Sequence, residues 1–137
     1  IKGNDFNNDI TGATRKDVIH GLGGNDVLEG MGGNDRLNGG AGRDRLVGGE
    51  GNDTLTGGPG SDLFIFDDGD GKDVITDFRA FGRDRDIIDF RGHADVDSFR
   101  DLEISHRRST VTIQAGDDVV VLTDVDMSKI GAGDFLF

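Results

Sequence analysis

Carboxylates recur in this chain at a constant interval. Asp17, Asp26, Asp35, Asp44, Asp53 and Asp62 stand nine residues apart, with Asn8 one interval before them. Two residues after each comes an apolar side chain: Ile10, Ile19, Leu28, Leu37, Leu46, Leu55 and Phe64. Acids in a regular column can share protons in pairs, as glycosidases use them, or hold a hard cation between them. The chain has no Cys, and His20, His93 and His106 are its only histidines. None of the three lies in an HExxH or nucleophile motif, so thiolate sites and zinc-hydrolase chemistry have no residues to run on. His20 points out of a repeat strand, and His93 and His106 fall in polar loops. All-oxygen donors on flexible Gly-rich backbone suit Ca²⁺. Mg²⁺ demands tighter octahedral geometry, and Zn²⁺ prefers nitrogen or sulfur.

The elements that must carry these acids follow from the repeat. From Gly21 the chain reads GLGGNDVLE, GMGGNDRLN, GGAGRDRLV, GGEGNDTLT and GGPGSDLFI, five units of nine without insertion. Two degenerate units precede them, GNDFNNDIT from Gly3 and GATRKDVIH from Gly12. Six residues of each unit are turn chemistry, in which Gly and Asn-Asp accept left-handed backbone. The last three form a minimal strand with one apolar side chain on one face. Such a strand must stack in register on equivalents from other units. Two units per coil give two short parallel sheets with the eighth-position side chains meeting between them. Burying one such side chain stabilises by about 1.5–3 kcal/mol, well short of what ordering nine residues costs. A divalent cation between stacked acids supplies the missing cohesion.

Composition agrees. Among 137 residues there are 24 Gly, one Pro and a net charge of −12. That charge excludes a nucleic-acid partner, because no basic stripe faces a phosphate backbone. No apolar run reaches transmembrane length, and Ile1–Asp17 lacks the apolar segment of a cleavable leader.

The repeat resembles GGxGxDxUx, the nonapeptide of the RTX calcium-binding family, over Gly3–Ile65. The resemblance implies an all-β fold: a right-handed parallel β-roll of nonapeptide repeats with a short β-rich carboxyl-terminal cap. The expected division is 3–65 for the calcium-binding roll and 66–137 for the capping and secretion-signal region. The resemblance further implies that each ion takes the Asp of one unit, the Asp two units on, and carbonyls of both turns. By matching position the carboxylates are Asp17, Asp26, Asp35, Asp44, Asp53 and Asp62. The carbonyl donors are Leu22 and Gly24, Met31 and Gly33, Gly40 and Gly42, Gly49 and Gly51, and Gly58 and Gly60. About four to six Ca²⁺ ions are expected. The first unit departs from the pattern at Phe6 and Asn8, the second at Arg15; a site built on the first is expected to be lost or weak.

After Phe64 the phase of nine stops. The run DDGDGKD fails as an EF-hand, since place six from Asp68 is Asp73 and place twelve is Arg79 where Gly and Glu are needed. A turn finishing the roll fits better, with Asp70 and Asp73 as further ligands or as simple solvated acids. Strands are expected at Asp73–Phe78 and Asp86–Phe90, a hairpin over Thr110–Gln114 and Val119–Thr123, and helical turns at Ser98–Leu102 and Met127–Ile130. FIF at Phe64–Phe66, DVITDF, DIIDF and the closing DFLF resemble the tails of serralysin-type proteases and mannuronan C5-epimerase R-modules. That likeness implies export through a type I secretion apparatus that reads an uncleaved carboxyl-terminal signal.

These readings converge on a non-catalytic calcium-binding module of a secreted, extracellular bacterial protein. It folds on meeting Ca²⁺ outside the cell, with an enzyme, toxin or adhesin domain expected upstream. The alternative is an accessory module that binds an anionic polysaccharide such as alginate through Arg79, Arg83, Arg85, Arg91, Arg107 and Arg108.

Overall fold

Successive nonapeptides send their strands alternately to two sheets, because the six-residue turn reverses the chain and only one side chain in nine seeks the interior. The computed structural model describes Ile1–Phe137. One sheet is built from β1 (Asp9–Thr11), β3 (Val27–Glu29), β5 (Arg45–Val47), β7 (Leu63–Ile65), β9 (Ile87–Asp89) and β13 (Phe135–Leu136), all parallel. The other begins with β2 (Val18–Gly23), β4 (Arg36–Ala41), β6 (Thr54–Thr56) and β8 (Lys72–Ile75), also parallel. This is a parallel β-roll.

Register aligns the apolar positions into two columns. Ile10, Leu28, Leu46, Phe64, Ile88 and Phe135 are partners along one sheet. Ile19, Leu37, Leu55, Ile75 and Leu122 are partners along the other. Apart from the half-buried Ile10, all of these are buried. Stacking therefore turns one apolar residue per unit into a continuous interior.

The stack does not stop where the period of nine stops. β8 and β9 add further rungs, and β12 (Asp118–Leu122) lies parallel on β8. β11 (Thr110–Ala115) then pairs antiparallel with β12, and β10 (Glu103–Arg107) with β11. One cluster of 21 buried residues runs from Ile19 to Phe135, joining the roll to the carboxyl-terminal segment. Three 3₁₀ turns, Phe99–Asp101, Met127–Lys129 and Ala132–Asp134, close the surface of that segment. No helix is long and apolar enough to cross a membrane.

The expected strands were longer than those observed: β8 ends at Ile75 and β9 at Asp89. Sequence reasoning assigned no strand to β10. Four of its five residues are exposed, so EISHR carries no apolar alternation to betray it.

Candidate metal centre

Each turn aspartate makes one contact that builds the stack. The backbone N–H of Asp26 donates to Oδ1 of Asp44 at 2.8 Å, and that of Asp44 to Oδ1 of Asp62 at 2.9 Å. Along the other margin Asp17 N–H donates to Asp35 Oδ1, Asp35 to Asp53, and Asp53 to Asp73, at 2.7, 2.7 and 2.8 Å. The aspartates thus form two columns, one beside each sheet. Beside them runs a second ladder, in which Asn25 N–H donates to Asn7 Oδ1 and Arg43 N–H to Asn25 Oδ1.

The second carboxylate oxygen has no such partner. Oδ2 of Asp26, Asp35, Asp44, Asp53 and Asp62 is buried in every case and accepts no hydrogen bond. A buried charged oxygen without a donor is strongly unfavourable. Burial, with like charge from neighbouring acids, pushes Asp62 up to about 7 and Asp53 to about 6. The same causes raise Asp73 to about 8 and, with smaller shifts, raise Asp35 and Asp44. Five orphaned oxygens in two columns are the donor set a hard divalent cation requires.

The residues expected to supply carbonyl donors share one backbone conformation. Leu22, Gly24, Met31, Gly33, Gly40, Gly42, Gly49, Gly51, Gly58 and Gly60 all have positive φ, between 80° and 144°. These are the second and fourth positions of their units, the ones expected to supply carbonyl donors. Successive turns nest so closely that a Cβ on Gly60 would collide with the carbonyl oxygen of Gly42. The first-position glycines are needed for a different reason. A Cβ on Gly48 would occupy the space of Asp53 Oδ2. Some carbonyls already accept one hydrogen bond, Met31 O from Glu50 N–H at 3.0 Å and Gly51 O from Lys72 N–H at 3.3 Å. A carbonyl's second lone pair stays available in each case.

The columns extend beyond the period of nine. Asp73 stands 20 residues after Asp53, and Asp86 stands 24 after Asp62, yet each accepts the N–H of that earlier aspartate through Oδ1. Asp86 was missed in sequence because six extra residues precede it. The detectable signal was its local triplet: Asp73-Val74-Ile75 and Asp86-Ile87-Ile88 repeat the acid and the apolar residue two places later. Asp70, offered with Asp73 as a ligand, is buried and accepts from Asp67 N–H through Oδ2.

His93 differs from its expected setting. It lies in a loop, but its ring is buried between two acids. Nδ1 is 3.0 Å from Asp68 Oδ1, and Nε2 is 3.2 Å from Asp118 Oδ2. Asp118 also accepts from Gly69 and Gly71 N–H. The two ring nitrogens face different acids, so His93 ties the Asp68 and Asp118 loops together, and one donor atom from each of the three residues lies within 4.8 Å of the others. His20 and His106 lie in β2 and β10.

The RTX calcium-binding nonapeptide repeat model matches residues 2–37, 29–64 and 38–73, more than half the chain. The chain belongs to this family. RTX repeats bind calcium, and the module type is non-catalytic. Among solved structures, the extracellular lipase LipA from Serratia marcescens shares 15% identity and a TM-score of 0.55, over 98% of this chain and 39% of the lipase. The chain therefore spans about two-fifths of that protein, and at this identity the likeness is one of fold. The AlgE6R3 and AlgE6R2 subunits of the Azotobacter vinelandii mannuronan C5-epimerase are each 27% identical, with TM-scores of 0.37 and 0.38. They are covered over 80% and 91% of their lengths, by 98% and 100% of this chain. No curated protein sequence matches the chain.

Proposed function

We propose that this RTX chain is a calcium-responsive module of a secreted bacterial protein, folding as Ca²⁺ loads between successive coils outside the cell. The observation that carries the reading is the set of five buried, unpartnered Oδ2 atoms. Asp17, Asp26, Asp35, Asp44, Asp53, Asp62 and Asp73 supply carboxylates, and the positive-φ positions supply carbonyls. Bound Ca²⁺ supplies charge neutralisation between turns, so metal binding contributes folding free energy directly. In low calcium the unneutralised acids of the repeat coils, within a net charge of −12, keep the repeats expanded. That state suits passage through a type I secretion apparatus, with the carboxyl-terminal segment as its signal. Circular dichroism during a Ca²⁺ titration tests the folding claim; a chelated chain already fully β and unresponsive refutes it. Loss of export on deleting Asp134–Phe137, with calcium uptake retained, tests the signal.

A second reading has one observation in its favour. Arg43, Arg83 and Arg85 line a shallow groove of about 480 Å³ with Ser61 and Gly82. Such a groove suits an anionic polysaccharide. Three of the six arginines named from sequence are otherwise engaged: Arg91 forks onto Asp89, Arg79 turns into the roll, and Arg85 pairs with Asp134 at 3.9 Å. Calorimetry with alginate oligomers in saturating calcium separates the readings, and absence of binding removes the second.

A further inference from the structure

The coil between Asp62 and Asp86 is six residues longer than two repeat units. Its excursion places two charged side chains on the last regular turn, Gly57–Asp62. The carboxylate of Asp77 accepts from Gly57 N–H at 2.9 Å and from Gly58 N–H at 2.8 Å. Arg79 approaches the opposite, carbonyl side. Its Nη1 donates to Gly58 O at 2.5 Å and lies 3.4 Å from Gly60 O, and its backbone N–H donates to Asp86 Oδ2 at 2.8 Å.

Gly58 O and Gly60 O occupy the second and fourth positions of their unit, as the carbonyl donors of every earlier turn do. Asp86 is the next acid in the same column. Three oxygens that would face an ion between this turn and the next coil are therefore taken by one residue. Asp86 Oδ2 is also not among the orphaned oxygens, in contrast to those of Asp26, Asp44 and Asp62 before it in the same column. The guanidinium brings a fixed positive charge, and being always protonated it cannot dissociate.

We propose that Arg79 is a tethered cation that replaces calcium at the carboxyl-terminal end of this column. It ends the ladder with a covalently attached charge, so the last coil is held together at any calcium concentration. Mobile ions are required only in the coils before it. The inference rests on the calcium reading above, and the experiment separates the two.

The test is calcium stoichiometry by calorimetry on the full chain, wild type against Arg79→Gln, with circular dichroism of both in chelator and in saturating calcium. The glutamine variant is expected to bind one ion more than wild type, and to need calcium for the cap signal that wild type retains in chelator. Equal stoichiometry in two folded proteins overturns the proposal and leaves the calcium reading intact. A wild type that takes up no calcium sinks both. Should Arg79→Gln fail to fold even in saturating calcium, Arg79→Lys decides. A folded lysine variant with wild-type stoichiometry supports substitution by charge, whereas an unfolded one overturns it, because the guanidinium would then be a structural tie and not an ion substitute.

Discussion

The backbone N–H of Asp62 donates to Oδ1 of Asp86 at 2.9 Å, across 24 residues, as that of Asp44 donates to Asp62 across 18. The contact survives a change in coil length because it belongs to the acid and its neighbouring strand. In Asp26, Asp35, Asp44, Asp53 and Asp62 the labour is divided within the carboxylate: Oδ1 holds the backbone of the preceding coil, and Oδ2 is left for chemistry.

That division makes Asp44 separable. Asp44→Asn keeps an Oδ1 acceptor while removing the charge. In chelator the variant is expected to be more folded than wild type, because a raised, repelling carboxylate has gone. In calcium it should be less stable and bind fewer ions. Asp44→Ala also strands the N–H of Asp26, at a further cost of about 1–3 kcal/mol. Circular dichroism in both conditions checks this; an asparagine variant that matches alanine throughout contradicts it.

Acid should favour the metal-free roll. Asp53, Asp62 and Asp73 rise to about 6, 7 and 8 on folding, chiefly through burial. The folded chain therefore binds more protons than the unfolded one between about pH 4 and pH 8. Stability from these groups is fully present below the unfolded carboxylate value and is lost as pH rises through the folded values. In chelator the folded fraction should be larger at pH 5 than at pH 8. In saturating calcium the order should reverse, since protons compete with the ion. A chelated chain that gains structure from pH 5 to pH 8 shows the acids are not repelling.

Leu22 and Met31 hold φ of 89° and 80°, in a region where side chains carry strain. Both side chains are largely exposed. Leu22→Gly and Met31→Gly should each stabilise the calcium-loaded roll by about 1 kcal/mol. Thermal melts at fixed calcium measure it; a lower midpoint for both means that the lost apolar contact outweighs the relief.

His93 ties Asp68 to Asp118 from a buried position. His93→Ala leaves Asp118 without its side-chain partner and should destabilise by about 1–3 kcal/mol. Calcium stoichiometry should not change, because the ring is no part of either acid column. A lost ion on calorimetry would reassign the cluster as a metal site.

The roll was legible because an acid kept phase through six units and an apolar residue through seven, and phase is what stacking reads. The second- and fourth-position carbonyl donors came from the resemblance to the repeat family, and the residues that bear them have positive φ. Asp86 and Arg79 were not legible by period, since the excursion before Asp86 shifts both out of step with the repeat. His93 was hidden for another reason. Its two acids lie 25 residues on either side, at Asp68 and Asp118, and no local pattern links them.

Coil lengths of 18, 20 and 24 residues all deliver an acid to the backbone N–H of the preceding acid in its column. Turn length is thus the elastic dimension of this architecture, and the three-residue rung the rigid one. Sequence can be gained between rungs without disturbing their order, which gives the fold a place to acquire new parts while its spine stays unchanged.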